Sequence, residues 1–345
     1  MKAAVIHRYN ESLSVETMPD PPCPSDGVVL KVLACGVCRS DWHAWKGADP
    51  DVSLPHIPGH EFCGEILEAG AEVRSWRRGD RVIAPFVLGC GVCPACSCGE
   101  ATTCGTQAVP GFTIPGAYAS MIAVPRADFN LAALPEALEP YAAASLGCRV
   151  TTAFRALADR GRLRPGEWLA VHGCGGVGLS AIMLGRAMGA RVIAVDVVAE
   201  KLALAQRLGA EIAVDASGGD AGAQVCDVTE GGAHVSVEAL GLPVTFEASI
   251  RSLRALGRHV QIGMPTGDEA RPEIPLDVVY SRQLSLYGTR GMPAHRFPDL
   301  FALLKAGQID VSALVSHRIS LDEASDALAA LDGYAGEGVA VIDRF

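Results

Sequence analysis

Four cysteines form the most distinctive group of reactive side chains in this 345-residue sequence. Within the stretch GCGVCPACSCGEATTC they follow the spacing C-x2-C-x2-C-x7-C, at Cys90, Cys93, Cys96 and Cys104. Thiols gathered so densely either bind a metal ion or form disulfides. A ferredoxin motif begins with the same spacing, but its next cysteine follows after three residues and precedes proline. Because Cys104 comes later and precedes Gly105, the spacing argues against an iron–sulfur cluster.

A second group of residues has the pattern of a dinucleotide site. Gly173, Gly175 and Gly178 form G-x-G-x-x-G between a short apolar run, Leu169–Val171, and a helical pattern. Glycines at these positions let the backbone approach a pyrophosphate, whose charge the helix N-terminus stabilises. Asp196 follows at the distance expected for a ribose-binding acid and would repel a 2′-phosphate, which favours NAD over NADP. The alternative is a glycine-rich strand-to-helix turn without a ligand.

The charge and the apolar runs of the chain exclude several classes of function. The net charge is −10 without a basic run, so nothing favours binding to nucleic acid or to an anionic membrane. The N-terminal apolar run is too short for a signal peptide, and the most apolar stretch, Leu169–Val195, is interrupted by charged residues. We therefore expect a cytoplasmic protein. Because cytosolic thiols stay reduced, this compartment favours metal ligands over disulfides for the cysteines.

The elements that must position these residues change in character along the chain. Residues 1–145 combine short β-rich runs with proline- and glycine-rich segments, which is typical of strands and loops. From about Thr151, apolar strands alternate with helices, which predicts a parallel sheet covered on both faces. The predicted strands are Trp168–His172, Arg191–Asp196, Glu211–Val214, His234–Ala239 and Arg258–Gly263. The predicted helices are Gly178–Met188, Glu200–Leu208, Val244–Leu256 and Phe297–Lys305.

Isolated features of the N-terminal half gain meaning beside these motifs. Cys38 lies in GVCRSDWH, His60 and Glu61 lie in PGHE, and Cys148 lies in SLGCRV. Together with the segment GDRV at 79–82, the cysteine stretch and the glycine motif, they occur in the order seen in zinc-dependent medium-chain alcohol dehydrogenases. The chain resembles this family over essentially its whole length.

The resemblance implies an α/β plus β architecture of two domains. A catalytic domain with a GroES-like β-barrel fold would comprise residues 1–149 and 289–345. A Rossmann domain, with a doubly wound parallel sheet, would comprise residues 150–288. Two domains also suit a chain of this length, because single cores stop growing at about 250–300 residues.

The resemblance further implies a catalytic zinc ion. Cys38, His60 and Cys148 would hold this ion and leave a fourth position open for water or substrate. Glu61 resembles a family carboxylate close to the metal that exchanges with water as a ligand. Asp41 resembles the acid that orients the ligand histidine.

A second, structural zinc ion is implied for the cysteine stretch. Its four spaced cysteines, Cys90, Cys93, Cys96 and Cys104, would form a closed tetrahedral site that does no chemistry. Its role would be to fold a segment with almost no apolar content. Cys98 is a fifth cysteine in the same stretch and has no role in the family pattern.

The same resemblance suggests residues for proton transfer, for cofactor binding and for the substrate pocket. Ser40 and His43 resemble a relay that carries the alcohol proton to solvent, and Ser40 and Phe86 resemble residues that line the substrate pocket. Arg39 resembles an arginine that grips the pyrophosphate, and Lys201 a lysine that contacts the adenosine ribose. Alternatively, His43 is a surface histidine and Lys201 a solvated residue on an exposed helix face. The remaining cofactor-binding residues are Gly173, Gly175, Gly176, Val177, Gly178 and Asp196.

One segment departs from the family pattern. Many relatives carry a basic residue just before the final strand that also touches the pyrophosphate, whereas this chain has Gly338-Val339-Ala340-Val341. The departure predicts that this contact is absent and that Arg39 carries more of the phosphate binding.

These assignments predict reversible oxidation of a primary or secondary alcohol to an aldehyde or ketone by NAD, with zinc as a Lewis acid. A polyol or sugar dehydrogenase of the same family is the first alternative, although such relatives often place Glu where this chain has Cys148. An alternative of another class is a catalytically silent zinc-binding scaffold or thiol sensor, which would require a broken site. The resemblance also predicts a homo-oligomer, a dimer or a tetramer, and the compact length suits the tetramers.

Overall fold

A computed structural model describes residues 1–333 and 338–345, and of residues 268 and 269 only the backbone. The chain forms two compact units. The first comprises Met1–Thr151, Gly291–Ala302 and Asp310–Phe345, and the second comprises Thr152–Arg290 and Leu303–Ile309. The domain boundaries drawn from the sequence, 1–149 with 289–345 and 150–288, stay a prediction, because compact packing units need not fold independently.

The strands and helices of both units are numbered along the chain. The strands are β1 Lys2–Val5, β2 Ser14–Thr17, β3 Val28–Gly36, β4 Glu61–Ala69, β5 Arg81–Ile83, β6 Met121–Val124, β7 Ala132–Ala133, β8 Trp168–His172, β9 Arg191–Asp196, β10 Ile212–Asp215, β11 Ala233–Glu238, β12 Leu253–Gln261, β13 Ser285–Gly288, β14 Val315–Ser320 and β15 Val339–Arg344. The α-helices are α1 Arg39–Trp45, α2 Pro94–Ser97, α3 Ala127–Asn130, α4 Pro140–Ala144, α5 Thr151–Arg155, α6 Gly176–Ala187, α7 Ala199–Arg207, α8 Ala221–Val228, α9 Pro243–Arg251, α10 Leu276–Arg282, α11 Phe297–Lys305 and α12 Ala324–Ala329. Within the described residues, no helix has the length and apolar character needed to cross a membrane.

The first unit is built on a seven-stranded, mostly antiparallel sheet. Its strand order is β14-β15-β3-β4-β5-β7, and β6 also pairs with β3. The long strands β3 and β4 lie at its centre, where Leu30, Phe62 and Ile66 are fully buried. β1 and β2 form a separate antiparallel pair, joined to the rest by a bridge between Ala3 and Ala119. The unit is therefore β-rich, as the sequence predicts for this part of the chain.

The second unit contains a six-stranded parallel sheet in the order β10-β9-β8-β11-β12-β13. Counted from β8, this is the order 3-2-1-4-5-6 of doubly wound dinucleotide-binding folds. Two groups of helices pack on the sheet, α6 with α7 and α8 with α9 and α10. The predicted parallel sheet is confirmed, and strands β8 and β9 have the predicted bounds.

One predicted helix is too long. The helix predicted over Val244–Leu256 ends at Arg251, and β12 begins at Leu253. Leu253 is fully buried and pairs with Ala233 of β11, so sheet formation outweighs the helical pattern of the sequence here. The edge strand β13 was not predicted from the sequence.

The helical segment between α4 and α5 contains a π-helical turn, Leu146–Val150. All five residues of this turn are buried, including Cys148 and Arg149. π turns are rare and occur frequently at functional sites, because they shift the direction of side chains relative to a regular helix. The turn therefore marks this segment as a place to look for function.

Candidate active site and metal centres

Four side chains that lie far apart in the sequence meet in the first unit. The ligand atoms of Cys38, His60, Glu61 and Cys148 all lie within 4.8 Å of one another, and all four residues are buried. Cys38 immediately precedes α1, the His60–Glu61 pair stands at the start of β4, and Cys148 lies in the π turn. Two thiols, an imidazole and a carboxylate are ligand types that zinc prefers.

Asp41 aims the imidazole of His60 into this cluster. The His60 Nδ1 atom lies 2.9 Å from Asp41 Oδ1. Because a carboxylate oxygen accepts, Nδ1 carries the hydrogen atom and donates the hydrogen bond. The other ring nitrogen, Nε2, is buried and has no hydrogen-bond partner in the described residues. An orphaned nitrogen is costly unless it binds a ligand, and this arrangement is the one found around zinc-binding histidines. The residues present therefore fit a zinc ion.

The two thiols of the cluster share one negative charge. The pKa of Cys38 lies well below its usual range, because Cys148 hydrogen-bonds to it and the charges of His60 and Arg149 outweigh its burial. Burial opposes a charge on His60, but Asp41 and Cys38 more than offset it and raise the pKa of the imidazole. These shifts describe a thiolate beside an imidazolium, and release of the His60 proton would leave the thiolate and the neutral imidazole that bind a metal ion.

Glu61 has a partner that was not found from the sequence. Burial raises the pKa of Glu61 to about 8, against the opposing charge of Arg149. The Nη2 atom of Arg149 lies 2.7 Å from Glu61 Oε2, and both side chains are almost completely buried. A charged residue next to the predicted ligand Cys148, within an apolar helical stretch, was the available signal for this role.

Aromatic rings surround the imidazole of His60. Phe86 and Phe112 stand edge-on to it, with ring centroids 5.7 Å and 5.3 Å away. Both rings belong to a buried apolar cluster that also contains Val52 and Val109. The structure thus places the predicted pocket residue Phe86 beside the group of candidate zinc ligands. It adds Phe112, for which the sequence holds no signal beyond an aromatic residue in a loop.

Helix α1 carries the other predicted residues of the first unit. Ser40 and His43 are half-buried and lie three residues apart, so they share a helix face. Burial and the charge of Arg39 lower the pKa of His43, which is therefore not a freely solvated surface histidine. The guanidinium of Arg39 lies 3.7 Å from the centroid of the Trp42 ring and also donates a hydrogen bond to the Leu331 carbonyl.

The cysteine stretch forms a second cluster. The four sulfur atoms lie within 4.8 Å of one another, with 3.9 Å between Cys90 and Cys96 and 3.8 Å between Cys93 and Cys104. Sulfurs at the corners of a tetrahedron with Zn–S bonds of about 2.3 Å would be about 3.8 Å apart. Hydrogen bonds from the backbone N–H groups of Val92 and Cys93 lower the pKa of Cys90 to about 6. The geometry fits a structural zinc ion.

Cys98 lies outside this cluster. Its side chain is exposed, and its thiol donates to the carbonyl of Ala95 at 3.3 Å. All twelve cysteines lie in the described residues, and none of them forms a disulfide.

The second unit holds the predicted dinucleotide turn between β8 and α6. Gly173 has a φ of 97°, which favours glycine, and a Cβ on Gly178 would lie 1.8 Å from the Gly173 carbonyl oxygen. At Gly175 a Cβ would meet no atom of the described residues within 4 Å. Gly176 and Val177 begin α6, where free N–H groups and the helix dipole favour an anion. The turn therefore fits a pyrophosphate.

Asp196 closes the other side of this turn. Its carboxylate accepts hydrogen bonds from the backbone N–H groups of Cys174 at 2.7 Å and of Val197 at 2.8 Å. Asp196 is buried at the end of β9, so its charge is fixed beside the turn. Lys201, in the first turns of α7, is also buried. The alternative that Lys201 is a solvated residue on an exposed face is therefore wrong.

Comparisons with known proteins agree with this picture. Residues 24–136 match the alcohol dehydrogenase GroES-like domain family, and residues 176–306 match the zinc-binding dehydrogenase family. An alcohol dehydrogenase of Geobacillus stearothermophilus is 37% identical over 270 residues, 78% of each chain. A sorbitol dehydrogenase of Bacillus subtilis (strain 168) is 32% identical over 336 residues, 95% of this chain and 92% of the relative.

A solved structure matches both units. It is that of a putative zinc-binding dehydrogenase from Sinorhizobium meliloti 1021 bound to NADP, with a TM-score of 0.89 and 30% identity over 99% of this chain and 98% of that one. The predicted fold class, a GroES-like unit combined with a Rossmann sheet, is confirmed.

Single substitutions separate the ligand role of Cys104 from the position of Cys98 outside the cluster. We expect two zinc ions per wild-type chain, one in Cys104→Ser and two in Cys98→Ser, because Cys104 belongs to the tetrahedral cluster and Cys98 does not. Cys104→Ser should also lower the thermal midpoint, since zinc in such sites contributes on the order of 10 kcal/mol. Metal analysis and thermal unfolding of the purified variants measure both effects. Equal zinc content in the two variants would contradict the assignment.

Proposed function

The chain belongs to the zinc-dependent medium-chain alcohol dehydrogenase family, and from this premise we propose that it oxidises apolar primary or secondary alcohols with NAD. As a member of this family it is an alcohol oxidoreductase that uses zinc and a nicotinamide cofactor. The observation that carries the proposal is the buried group of Cys38, His60 and Cys148, with its orphaned imidazole nitrogen. We assign the catalytic zinc to these three residues.

The contribution of the protein to this reaction is to hold the zinc ligands in a fixed geometry. When bound, zinc supplies a Lewis acid that acidifies the alcohol hydroxyl, and the nicotinamide supplies the acceptor for the hydride. Cys38 and Cys148 would offset the charge of the ion, and Asp41 keeps Nε2 of His60 directed into the ligand cluster. Phe86 and Phe112 form an apolar wall beside His60, which would keep water from this side of the site and strengthen the electrostatic interactions within it.

We assign the proton path to helix α1. Ser40 would accept the hydroxyl proton of the alcohol, and His43 would pass it on to solvent. Burial and Arg39 lower the pKa of His43, which keeps the imidazole neutral near pH 7 and able to accept a proton. Both side chains are half-buried on one helix face, which suits a path from a dry site to solvent.

The apolar wall around the cluster favours simple alcohols over polyols. The apolar side chains that cluster with Cys38 and Cys148 are Ala44, Val52, Phe86, Val87, Val109 and Phe112, with the partly buried Leu54 packed against them. Such a wall offers no hydrogen-bond partners to the additional hydroxyl groups of a polyol, and desolvating an unpaired hydroxyl costs about 1–3 kcal/mol. Oxidation of a polyol is the second candidate function, because a sorbitol dehydrogenase is among the similar proteins.

A substrate panel tests the activity and separates these two candidates. With NAD, we expect kcat/KM for apolar primary or secondary alcohols to exceed that for sorbitol by roughly tenfold or more, since each unmatched hydroxyl costs about 1–3 kcal/mol. Cys38→Ser should abolish alcohol-linked NADH formation, whereas Cys98→Ser should leave it unchanged. Activity confined to polyols would favour the second candidate function, and undiminished activity of Cys38→Ser would sink the zinc mechanism.

The preference for NAD is proposed from Asp196. A buried carboxylate fixed beside the phosphate-binding turn repels a 2′-phosphate and suits the two ribose hydroxyls of NAD. One similar structure is bound to NADP, so the cofactor of this chain has to be measured directly.

Cofactor preference is checked by steady-state kinetics with both cofactors. The wild-type kcat/KM for NAD should exceed that for NADP by roughly 100-fold, because a like-charge contact costs several kcal/mol. Asp196→Gly should narrow the ratio by about tenfold or more. Asp215, which pairs in register with Asp196 at the end of the next strand, provides the control Asp215→Gly. A wild-type preference for NADP would show that Asp196 has been misinterpreted.

We also propose a cytoplasmic homo-oligomer. The cytoplasm keeps both cysteine clusters reduced. In the second unit, β13 is the edge strand of the sheet, and the neighbouring Leu276 and Tyr280 of α10 are 67% and 84% exposed. An open edge beside exposed apolar side chains is commonly covered by a partner chain. Light scattering after size-exclusion chromatography should give the mass of a dimer or tetramer, and a monomer would refute the proposal.

A further inference from the structure

One guanidinium group connects all three segments that carry the proposed zinc ligands. Arg149 Nε donates to Glu61 Oε1 at 3.1 Å, and Glu61 follows the ligand His60. Its Nη2 donates to the carbonyl oxygen of Val37 at 3.0 Å, and Val37 precedes the ligand Cys38. Arg149 itself follows Cys148 in the π turn. The side chain is only 3% exposed, so these contacts are shielded from solvent.

The fully buried side chain of Glu61 is closely surrounded by the backbone at two glycines. A Cβ on Gly36 would lie 2.5 Å from Glu61 Oε2, and a Cβ on Gly147 would lie 2.8 Å from the Cα of Glu61. Neither glycine has a positive φ, so space for Glu61, rather than backbone conformation, is the feature that requires glycine. The two glycines and the arginine together fix where the carboxylate points.

Glu61 nevertheless lies within reach of the proposed metal position. Its carboxylate belongs to the group of ligand atoms within 4.8 Å of one another that includes Cys38, His60 and Cys148. A fully buried carboxylate that loses its partner takes up a proton or binds another cation, because an unpaired buried charge is destabilised by several kcal/mol. Carboxylate oxygen is an accepted zinc ligand, so with the ion in place Glu61 would bind it.

We propose that Arg149 is a positioning residue that holds Glu61 off the zinc ion and so keeps the fourth coordination position open for the alcohol. The proposal rests on the assignment of the catalytic zinc to Cys38, His60 and Cys148. In this proposal the effect of Arg149 on the fourth coordination position is exerted through Glu61, whereas its hydrogen bond to Val37 supports the segment that carries Cys38. When Arg149 is replaced, Glu61 would become a fourth protein ligand and close the coordination position that the alcohol needs.

The direct test uses the protein with Co²⁺ in place of the catalytic zinc, because visible absorption of Co²⁺ reports its ligands. In Arg149→Met, the spectrum should shift from that of the wild type and respond to trifluoroethanol only at concentrations about 10- to 100-fold higher, the usual effect of losing such a partner. In the zinc enzyme, KM for the alcohol should rise by about the same factor and kcat should fall less. The zinc content should stay at two per chain.

Two further variants separate positioning from a general structural role. In Arg149→Met/Glu61→Gln, the spectrum should return to that of Glu61→Gln alone, because a neutral amide is a poor zinc ligand and no unpaired charge stays buried. Gly36→Ala should shift the spectrum in the same direction with Arg149 intact, since the new methyl group displaces Oε2. Gly218→Ala, at an exposed position with open space around it, is the matched control.

The outcomes distinguish this inference from the proposed function. A wild-type chain that takes up no Co²⁺ at Cys38, His60 and Cys148 refutes the zinc assignment itself. A normal wild-type spectrum with unshifted spectra in both Arg149→Met and Gly36→Ala overturns the inference alone. The inference is also overturned if Arg149→Met loses the catalytic metal but keeps the zinc ion of the cysteine stretch. Should Arg149→Met fail to fold, Gly36→Ala decides the question.

Discussion

The buried carboxylate of Asp41 is the interaction on which the candidate active site depends. It accepts hydrogen bonds from the imidazole of His60 and from the backbone N–H groups of Gly59 and Cys38. A fully buried carboxylate is stable only with such partners, so the start of α1 and the loop before β4 must adopt one relative position. That position brings the thiol of Cys38 and Nε2 of His60 together before any ion binds.

The surrounding sheet provides what this arrangement requires. Strands β3 and β4 pair along their lengths and end beside Cys38 and His60, so the two ligand segments start from the same edge of a rigid support. The charges of Asp41, Glu61 and Arg149 are buried at the same edge. Burying charged groups costs stability, which the apolar core of the unit offsets. The region is therefore organised for ligand geometry rather than for maximal stability.

Local and non-local sites differed in how well the sequence predicted them. The cysteine stretch and the glycine turn are each formed by residues that lie close together in the chain. Spacing alone therefore located Cys104 in its cluster and the glycines at the start of α6. The roles of Arg149 and Phe112 could not be read from spacing, because each depends on a contact with a residue far away in the sequence. The helix predicted through Leu253 failed for the same reason, since a pairing with β11 decided it.

The sequence by itself determined the family, the two-unit architecture and the identity of the candidate ligands, because ligand chemistry and glycine requirements are properties of residue type and order. Only the tertiary structure decided which nitrogen of His60 faces the cluster, which group neutralises Glu61 and whether Lys201 is solvated. These are questions of distance and burial between segments brought together by the sheets. Electrostatic and hydrogen-bond energies depend on those distances, and a linear pattern of residues does not contain them.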